Sequence, residues 1–173
     1  MHRLDFQKRR DIPSASSDDL RTGLRQFASG VTIVTAEHDG ELYGITVSAF
    51  SSISLDPPIL MVSINNASTV ARPIIESEHF AVHILSADQQ EISDRFARSG
   101  TGAEKYSGLE IRRGPSGAPT FPGTLALFDC VLAQTLVVGT HTLMFGRVVY
   151  VEAAEEIGDP LVYYHRGYRR VSE

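Results

Sequence analysis

The sequence predicts a mainly β fold, a small barrel of Greek-key type with a few peripheral helices. Three observations carry this. β-branched and apolar runs of strand length recur along the chain, Gly, Pro and Asp-Gly signals separate them, and only three short stretches show helical spacing. The 173 residues, 42% of them hydrophobic, suffice for one compact core.

Residues 1–17 read as an arm, with the small polar run Ile12 to Ser17 as a lead-in, and residues 18–173 as the barrel domain. Asp18 and Asp19 stand where a helix dipole favours negative charge. Leu20, Leu24, Phe27 and Ala28 follow at helical spacing. They predict about three turns packing one apolar face, stopped at Gly30. Val31 to Thr35 is a strand and Asp39-Gly40 a hairpin turn. Leu42 to Leu55 reads as one long strand, bent near Ser51-Ser52 and ended by Asp56-Pro57-Pro58. Ile59 to Ile64 and Phe80 to Leu85 are buried strands, with a short helix over 68–77 between them that carries Pro73 in its first turn. A further helix covers 88–98, with Ile92, Phe96 and Ala97 on one side. Residues 99–123, rich in glycine and proline, form a long irregular excursion. Strands return at 125–138, 142–152 and 161–164, and 166–170 reads as a polar tail.

Composition excludes several function classes. A net charge of -5 with both signs interspersed argues against nucleic-acid binding. No apolar run approaches about 20 residues, so no membrane helix is expected. The basic start MHRLDFQKRR lacks a following apolar region, so a cytoplasmic protein is expected. Cys130, the single cysteine, lies in an apolar run and reads as a small buried hydrophobe. His79 and His83 share a strand without a third ligand, so no metal site is expected. Neither a Gly-x-Ser-x-Gly elbow, nor a P-loop, nor a Gly-x-Gly-x-x-Gly opening a helix is present.

What remains is a density of small polar residues: Thr46, Ser48, Ser51, Ser52 and Ser54, then Ser63, Asn65, Asn66, Ser68 and Thr69. One reading is a half-exposed strand face followed by a turn. The other is a polar cradle, in which hydroxyls and exposed N–H groups suit a phosphate and edge-strand backbone suits a planar heterocycle.

The stretch Gly44 to Pro58 (GITVSAFSSISLDPP) resembles the signature of the flavin reductase-like, FMN-binding split-barrel family. Further pieces follow in the family's order: Arg25 to Val31, Ser63 to Thr69, Phe80 to Leu85, Arg95-Phe96-Ala97, Gly139-Thr140-His141 and Leu161 to Tyr168. Within the family the chain is similar to the reductase components of two-component flavin-dependent monooxygenases, including the hydroxyphenylacetate type. Many relatives have Gly-Asp-His where this chain has Gly139-Thr140-His141, and His83 stands where asparagine is frequent.

The resemblance implies a split barrel and an NAD(P)H:flavin oxidoreductase. FMN or FAD would be the flavin and NADH or NADPH the co-substrate. A homodimer and a separate oxygenase taking reduced flavin by diffusion are implied as partners. Thr46, Val47, Ser48 and Ala49 would meet the flavin ring through backbone N–H groups, with Ser51 and Ser52 in the same stretch. Ser63, Asn65, Ser68 and Thr69 would hold the ribityl chain and phosphate. Lys105 either adds charge to that phosphate or is solvated, and Phe96 packs near the flavin or in the core. His141 would orient the nicotinamide, and Arg166 and Tyr168 would meet the pyridine nucleotide's phosphates or form a solvated terminus. Hydride transfer asks for no catalytic acid–base residue, and none is expected. Two competing readings are a non-enzymatic flavin- or haem-binding split barrel and a pyridoxamine-phosphate-oxidase-like enzyme. The latter would need a basic cluster that 46–54 lacks.

Overall fold

The computed structural model describes residues 2–3, 12–156 and 158–171. Its main sheet is antiparallel. β3 (Thr32–His38) pairs with β4 (Glu41–Val47) on one side and with β7 (His79–Ile84) on the other. Beyond β7 come β10 (Ala126–Val138), β11 (His141–Ala153), β6 (Pro58–Asn65) and β5 (Phe50–Leu55), in that order. β1 (His2–Arg3) pairs parallel with Leu136 and Val137 of β10. The remainder of the expected 1–17 arm up to Asp11 lies outside the described residues.

The sheet's two edge strands, β4 and β5, are consecutive in sequence and joined by Ser48-Ala49. The sheet must therefore curl until its edges meet at that link. The Ser63 N–H donates to the Ala49 carbonyl at 3.0 Å and fixes the seam. This is a split barrel, as the sequence predicts. The expected single strand over 42–55 is in fact two strands, and their break at Ser48-Ala49 makes the seam. The irregularity foreseen near Ser51-Ser52 is a register shift between Ser52 and Ser54.

Both faces of β3 are buried from Thr32 to Ala36, which suits its β-branched and small residues. Val34 and Ala36 face a cluster with Val62, Ile64, Phe80, Cys130 and Met144, capped by Ile74 of α2 (Ala71–Ser77). Val31 and Ile33 face a second cluster with Phe96, Tyr106, Phe121 and Leu161. Phe96 belongs to α3 (Gln90–Ala97). Tyr106 follows α4 (Gly102–Lys105), a turn set by a Thr101–Glu104 capping box. The excursion 99–123 is thus an ordered lid on the outer face of β3. It also carries the short pair β8 (Arg112–Arg113) and β9 (Pro119–Thr120).

Two terminal expectations are corrected. The first helix, α1 (Ser17–Leu24), is capped by Ser16 as the acidic start implies, but it stops at Leu24 and buries no residue. Gly23 weakens its last turn, and Leu20, Leu24 and Phe27 stay exposed. The polar tail is a strand hairpin: β12 (Val162–Tyr164) turns through His165-Arg166 into β13 (Gly167–Arg169). β12 also pairs with β2 (Ser29–Gly30). Among the described residues, no helix is long and apolar enough to cross a membrane.

Candidate flavin and nucleotide site

The seam itself offers donors. The Ser48 carbonyl accepts from the Phe50 N–H and the Ala49 carbonyl from the Ser63 N–H. The N–H groups of Ser48 and Ala49 find no acceptor among the described residues, and both residues are exposed. Two adjacent free N–H groups at a sheet edge form a receptor for a carbonyl or ring nitrogen. Val47 turns its side chain into the core, so it contributes backbone only. Thr46 is held rigidly, its hydroxyl donating to the Ser93 carbonyl at 2.6 Å.

Grooves run along β4 from this seam. One, of about 440 Å³, is lined by Thr46, Ser48, Asp94, Ala97, Arg166 and Tyr168 among others. The Tyr168 hydroxyl lies 2.8 Å from Ser93 Oγ and donates to Asp94 at 3.1 Å, which joins β13 to α3. A cleft of about 200 Å³ continues past Ala97 to Ser68, Thr69, Arg98 and Lys105. There the turn after β6 is self-contained. Asn65 Oδ1 accepts from the Ala67 N–H, and Ser68 Oγ accepts from the Val70 N–H. The Thr69 hydroxyl has no partner among the described residues, and Thr69 also lines a neighbouring cleft with Lys105.

Lys105 is buried at 7% exposure. Its ammonium donates to the Gly44 carbonyl at 2.8 Å and the Phe96 carbonyl at 3.3 Å, leaving one N–H for the cleft. Desolvation lowers its pKa. Gly44 makes this approach possible: a Cβ there would stand 2.4 Å from the Phe96 ring. Phe96 itself is fully buried and forms the cleft's floor from the core side.

Of the expected site residues, Ser51, Ser52, Ser63 and His141 line none of these grooves. Ser51 and Ser52 pair with β6. Ser63 faces Leu143 across the β6–β11 ladder, and its contribution is the N–H that holds the seam. His141 opens β11 directly opposite Asn65, with Nδ1 3.0 Å from the Thr140 hydroxyl. The fold therefore sets His141 beside the turn that follows β6.

A groove of about 500 Å³ that shares Ser48, Tyr163 and Arg166 with the first was not foreseen. Arg21, Arg25, His165 and Arg166 rim it, with Phe27 and Tyr163 as apolar wall. His165 and Arg166 both have positive φ, 49° and 66°, in a two-residue hairpin that would ordinarily carry Asn-Gly. Each such residue is strained by roughly 1–2 kcal/mol. The basic composition of 21–25 was visible in sequence, but its meeting with 165–166 depends on the corrected hairpin. Arg98 was also missed, although it closely follows Arg95-Phe96-Ala97.

Among the described residues, no three His, Cys, Asp or Glu side chains converge as metal ligands. Cys130 is fully buried, and burial pushes its thiol pKa up. His83 is a packed strand histidine, stacked on Phe121 with ring centroids 3.9 Å apart.

Residues 24–172 match the flavin reductase like domain. The FMN reductase (NADH) SmoA of Agrobacterium fabrum is 39% identical over 157 residues, covering 91% of this chain and 87% of that protein. The reductase component of the 4-nitrophenol 4-monooxygenase/4-nitrocatechol 2-monooxygenase of Rhodococcus opacus is 35% identical over 160 residues, covering 92% and 84%. The crystal structure of the flavin reductase HpaC complexed with NADP+ superimposes with a TM-score of 0.82 at 29% identity, covering 90% of this chain and 98% of that one. With the split barrel and its seam donors in place, these matches establish that the chain belongs to the family of flavin reductase like domains.

Proposed function

We propose that the Ser48-Ala49 seam receives the flavin ring of this enzyme, an NAD(P)H-dependent flavin reductase that hands reduced flavin to a separate monooxygenase component. The observation that carries the assignment is the pair of free, adjacent N–H groups at the seam. Donors fixed there would favour negative charge on the polar edge of a ring held at the seam. Bound FMN or FAD supplies the hydride acceptor, and the protein supplies position and electrostatics. Thr46, tied to Ser93, keeps the edge rigid. Thr69, Ser68, Arg98 and Lys105 surround the phosphate end, and His141 stands beside it against Asn65. Arg166 and Tyr168 lie at the ring end, on the hydride donor's side. The likeness to an FMN reductase (NADH) favours FMN and NADH as the working pair.

The reaction needs the donor carbon and acceptor nitrogen about 3–3.5 Å apart, a demand on orientation and not on acid–base groups. The enzyme works as a homodimer, a reading supported by apolar surface left open on β11: Val149, Tyr150 and Val151 are 37%, 42% and 49% exposed.

Steady-state oxidation of NADH and NADPH, each with FMN, FAD and riboflavin, tests the assignment. Flavin-dependent turnover is expected. Flavin retained through gel filtration with no NADH oxidation would make the chain a flavin-binding protein without this activity.

A further inference from the structure

The ring-side groove of about 440 Å³ takes its walls from three separate parts of the chain. β4 gives Thr46 and Ser48, α3 gives Asp94, and the terminal hairpin gives Tyr163 and Tyr168. β4 and the hairpin belong to different sheets. Side chains tie the walls together. The Thr46 hydroxyl donates to the Ser93 carbonyl at 2.6 Å. Ser93 Oγ lies 2.8 Å from the Tyr168 hydroxyl, which donates to Asp94 at 3.1 Å. A phenol has one proton, and Asp94 takes it, so Ser93 is the donor to the Tyr168 oxygen. The Tyr168 ring in turn stands edge-on to Tyr163, with centroids 5.7 Å apart.

The tie is sheltered where it matters. Ser93 is 0% exposed, so a molecule lying in the groove does not touch it. On the other side of β4, the buried Thr32 hydroxyl donates to the Val47 carbonyl at 2.8 Å. The edge strand is thus gripped twice just before the seam, by α3 at Thr46 and by β3 at Val47. Desolvation raises the Tyr168 pKa, so its hydroxyl keeps its proton and its bond to Asp94 at neutral pH. Hydrogen bonds that share members in this way act as one unit.

We infer that Tyr168 and Ser93 are positioning residues for hydride transfer, whose hydroxyls, acting through α3 and Thr46, fix the spacing between the hairpin wall and the seam. This rests on the flavin-reductase reading of the seam. Hydride transfer asks for an approach of about 3–3.5 Å, and a misplacement of about 1 Å can cost about 100-fold in rate. A far wall tied to the seam by hydrogen bonds holds that spacing without touching the reacting atoms. The Tyr168 hydroxyl has its proton committed to Asp94 and has none left to give a phosphate. Its place in the groove is therefore structural support for the geometry of transfer, and Ser93 extends that support out of any ligand's reach.

The test separates rate from binding. Anaerobic single-turnover reduction of FMN by NADH is followed in wild-type protein, Tyr168→Phe, Ser93→Ala and the double variant, and gives a limiting rate and an NADH Kd for each. Tyr168→Phe and Ser93→Ala should each lower the limiting rate about tenfold, while the Kd values for NADH and FMN stay within about twofold. The double variant should lose little more than either single change, because both break one chain of bonds. Asp94→Asn, which keeps an acceptor for Tyr168, should lose less than Asp94→Ala. Heteronuclear NMR supplies a readout without turnover: the Thr46 and Ser48 amide signals should move in both single variants. An unchanged limiting rate in folded variants would overturn the proposal. A weakened NADH Kd at unchanged rate would do the same and make Tyr168 a ligand contact. Losses that multiply in the double variant would mean two independent effects, and unmoved amide signals would mean that the bonds stop short of the seam; either outcome overturns it. Wild-type protein that oxidises no NADH with any flavin, but whose Thr46 and Ser48 signals move in both variants, would refute the reductase reading and leave the tie between hairpin and seam standing.

Discussion

The His83 ring lies flat on Phe121 with its Nε2 3.3 Å from the Thr35 hydroxyl, and its Nδ1 has no partner among the described residues. Desolvation lowers its pKa to about 3 from an ordinary 6.5. The folded state therefore resists a proton that the unfolded chain accepts once the pH drops below about 6.5. The His83 contribution to stability is constant above that pH and falls progressively between it and about 3. Urea midpoints measured from pH 8 to pH 4 should show this decline. His83→Asn should be less stable at pH 8, having lost the stacked ring, but should decline less on acidification. An unchanged slope in the variant would assign the acid sensitivity elsewhere. At the same scale Ser48 is exposed and lines both ring-end grooves, so Ser48→Leu should leave the melting temperature near wild type and raise the flavin Kd about tenfold. Flavin fluorescence titration reads it. His141 shows where sequence reasoning stops. From spacing alone, Gly139-Thr140-His141 is remote from Ser63 to Thr69. The ladder sets His141 directly across from Asn65. His141→Ala should therefore move flavin affinity, by about 2- to 10-fold for one lost neutral hydrogen bond, and not only the KM for NADH.

Elements were legible wherever local pattern and tertiary need agree. Asp39-Gly40, both at positive φ, makes the expected hairpin, and the apolar runs at 79–84 and 126–138 are the strands their composition implies. α1 departs from its pattern because helical spacing of apolar residues says nothing about whether a partner face exists. Among the described residues nothing covers Leu20 and Leu24, which are 60% and 58% exposed. The link at Ser48-Ala49 was hidden for the opposite reason. Its residues suit a strand, but the sheet can close only if the chain leaves one edge and joins the other there. Lys105 depends on both levels, since the capping box places α4 and Gly44 lets Phe96 and the ammonium approach β4. Lys105→Met should cost about 1–3 kcal/mol, because the Gly44 and Phe96 carbonyls lose their donor in a buried site. It should also weaken FMN more than riboflavin, which lacks the phosphate. Equal losses for the two flavins would confine Lys105 to a structural tie.

At the scale of the whole molecule, the two longest strands outrun the barrel. β10 and β11 have 13 residues each, about 43 Å if straight. β6 covers β11 only from His141 to Arg147. From Val148 to Ala153 the strand pairs with β10 on one side, and its other edge has no strand partner among the described residues. That open edge carries Val149, Tyr150 and Val151, all substantially exposed. An uncovered edge with apolar side chains is a template for unwanted pairing unless something covers it. The proposed homodimer would cover this edge with a second copy of the chain, in a closed, symmetric assembly without further components. Light scattering at micromolar protein should give twice the monomer mass of 18.9 kDa. Val151→Lys, which puts a charge on that edge, should shift the equilibrium toward monomer while far-UV circular dichroism stays the same. The Ser48-Ala49 seam joins β4 and β5, the two edge strands, whereas β10 and β11 lie in the middle of the strand order. If the interface only buries the edge, monomeric Val151→Lys protein should keep its flavin affinity. Flavin affinity that falls in step with dissociation would instead mean that the partner copy completes the binding groove. A wild-type monomer with full activity would remove the dimer from this account altogether.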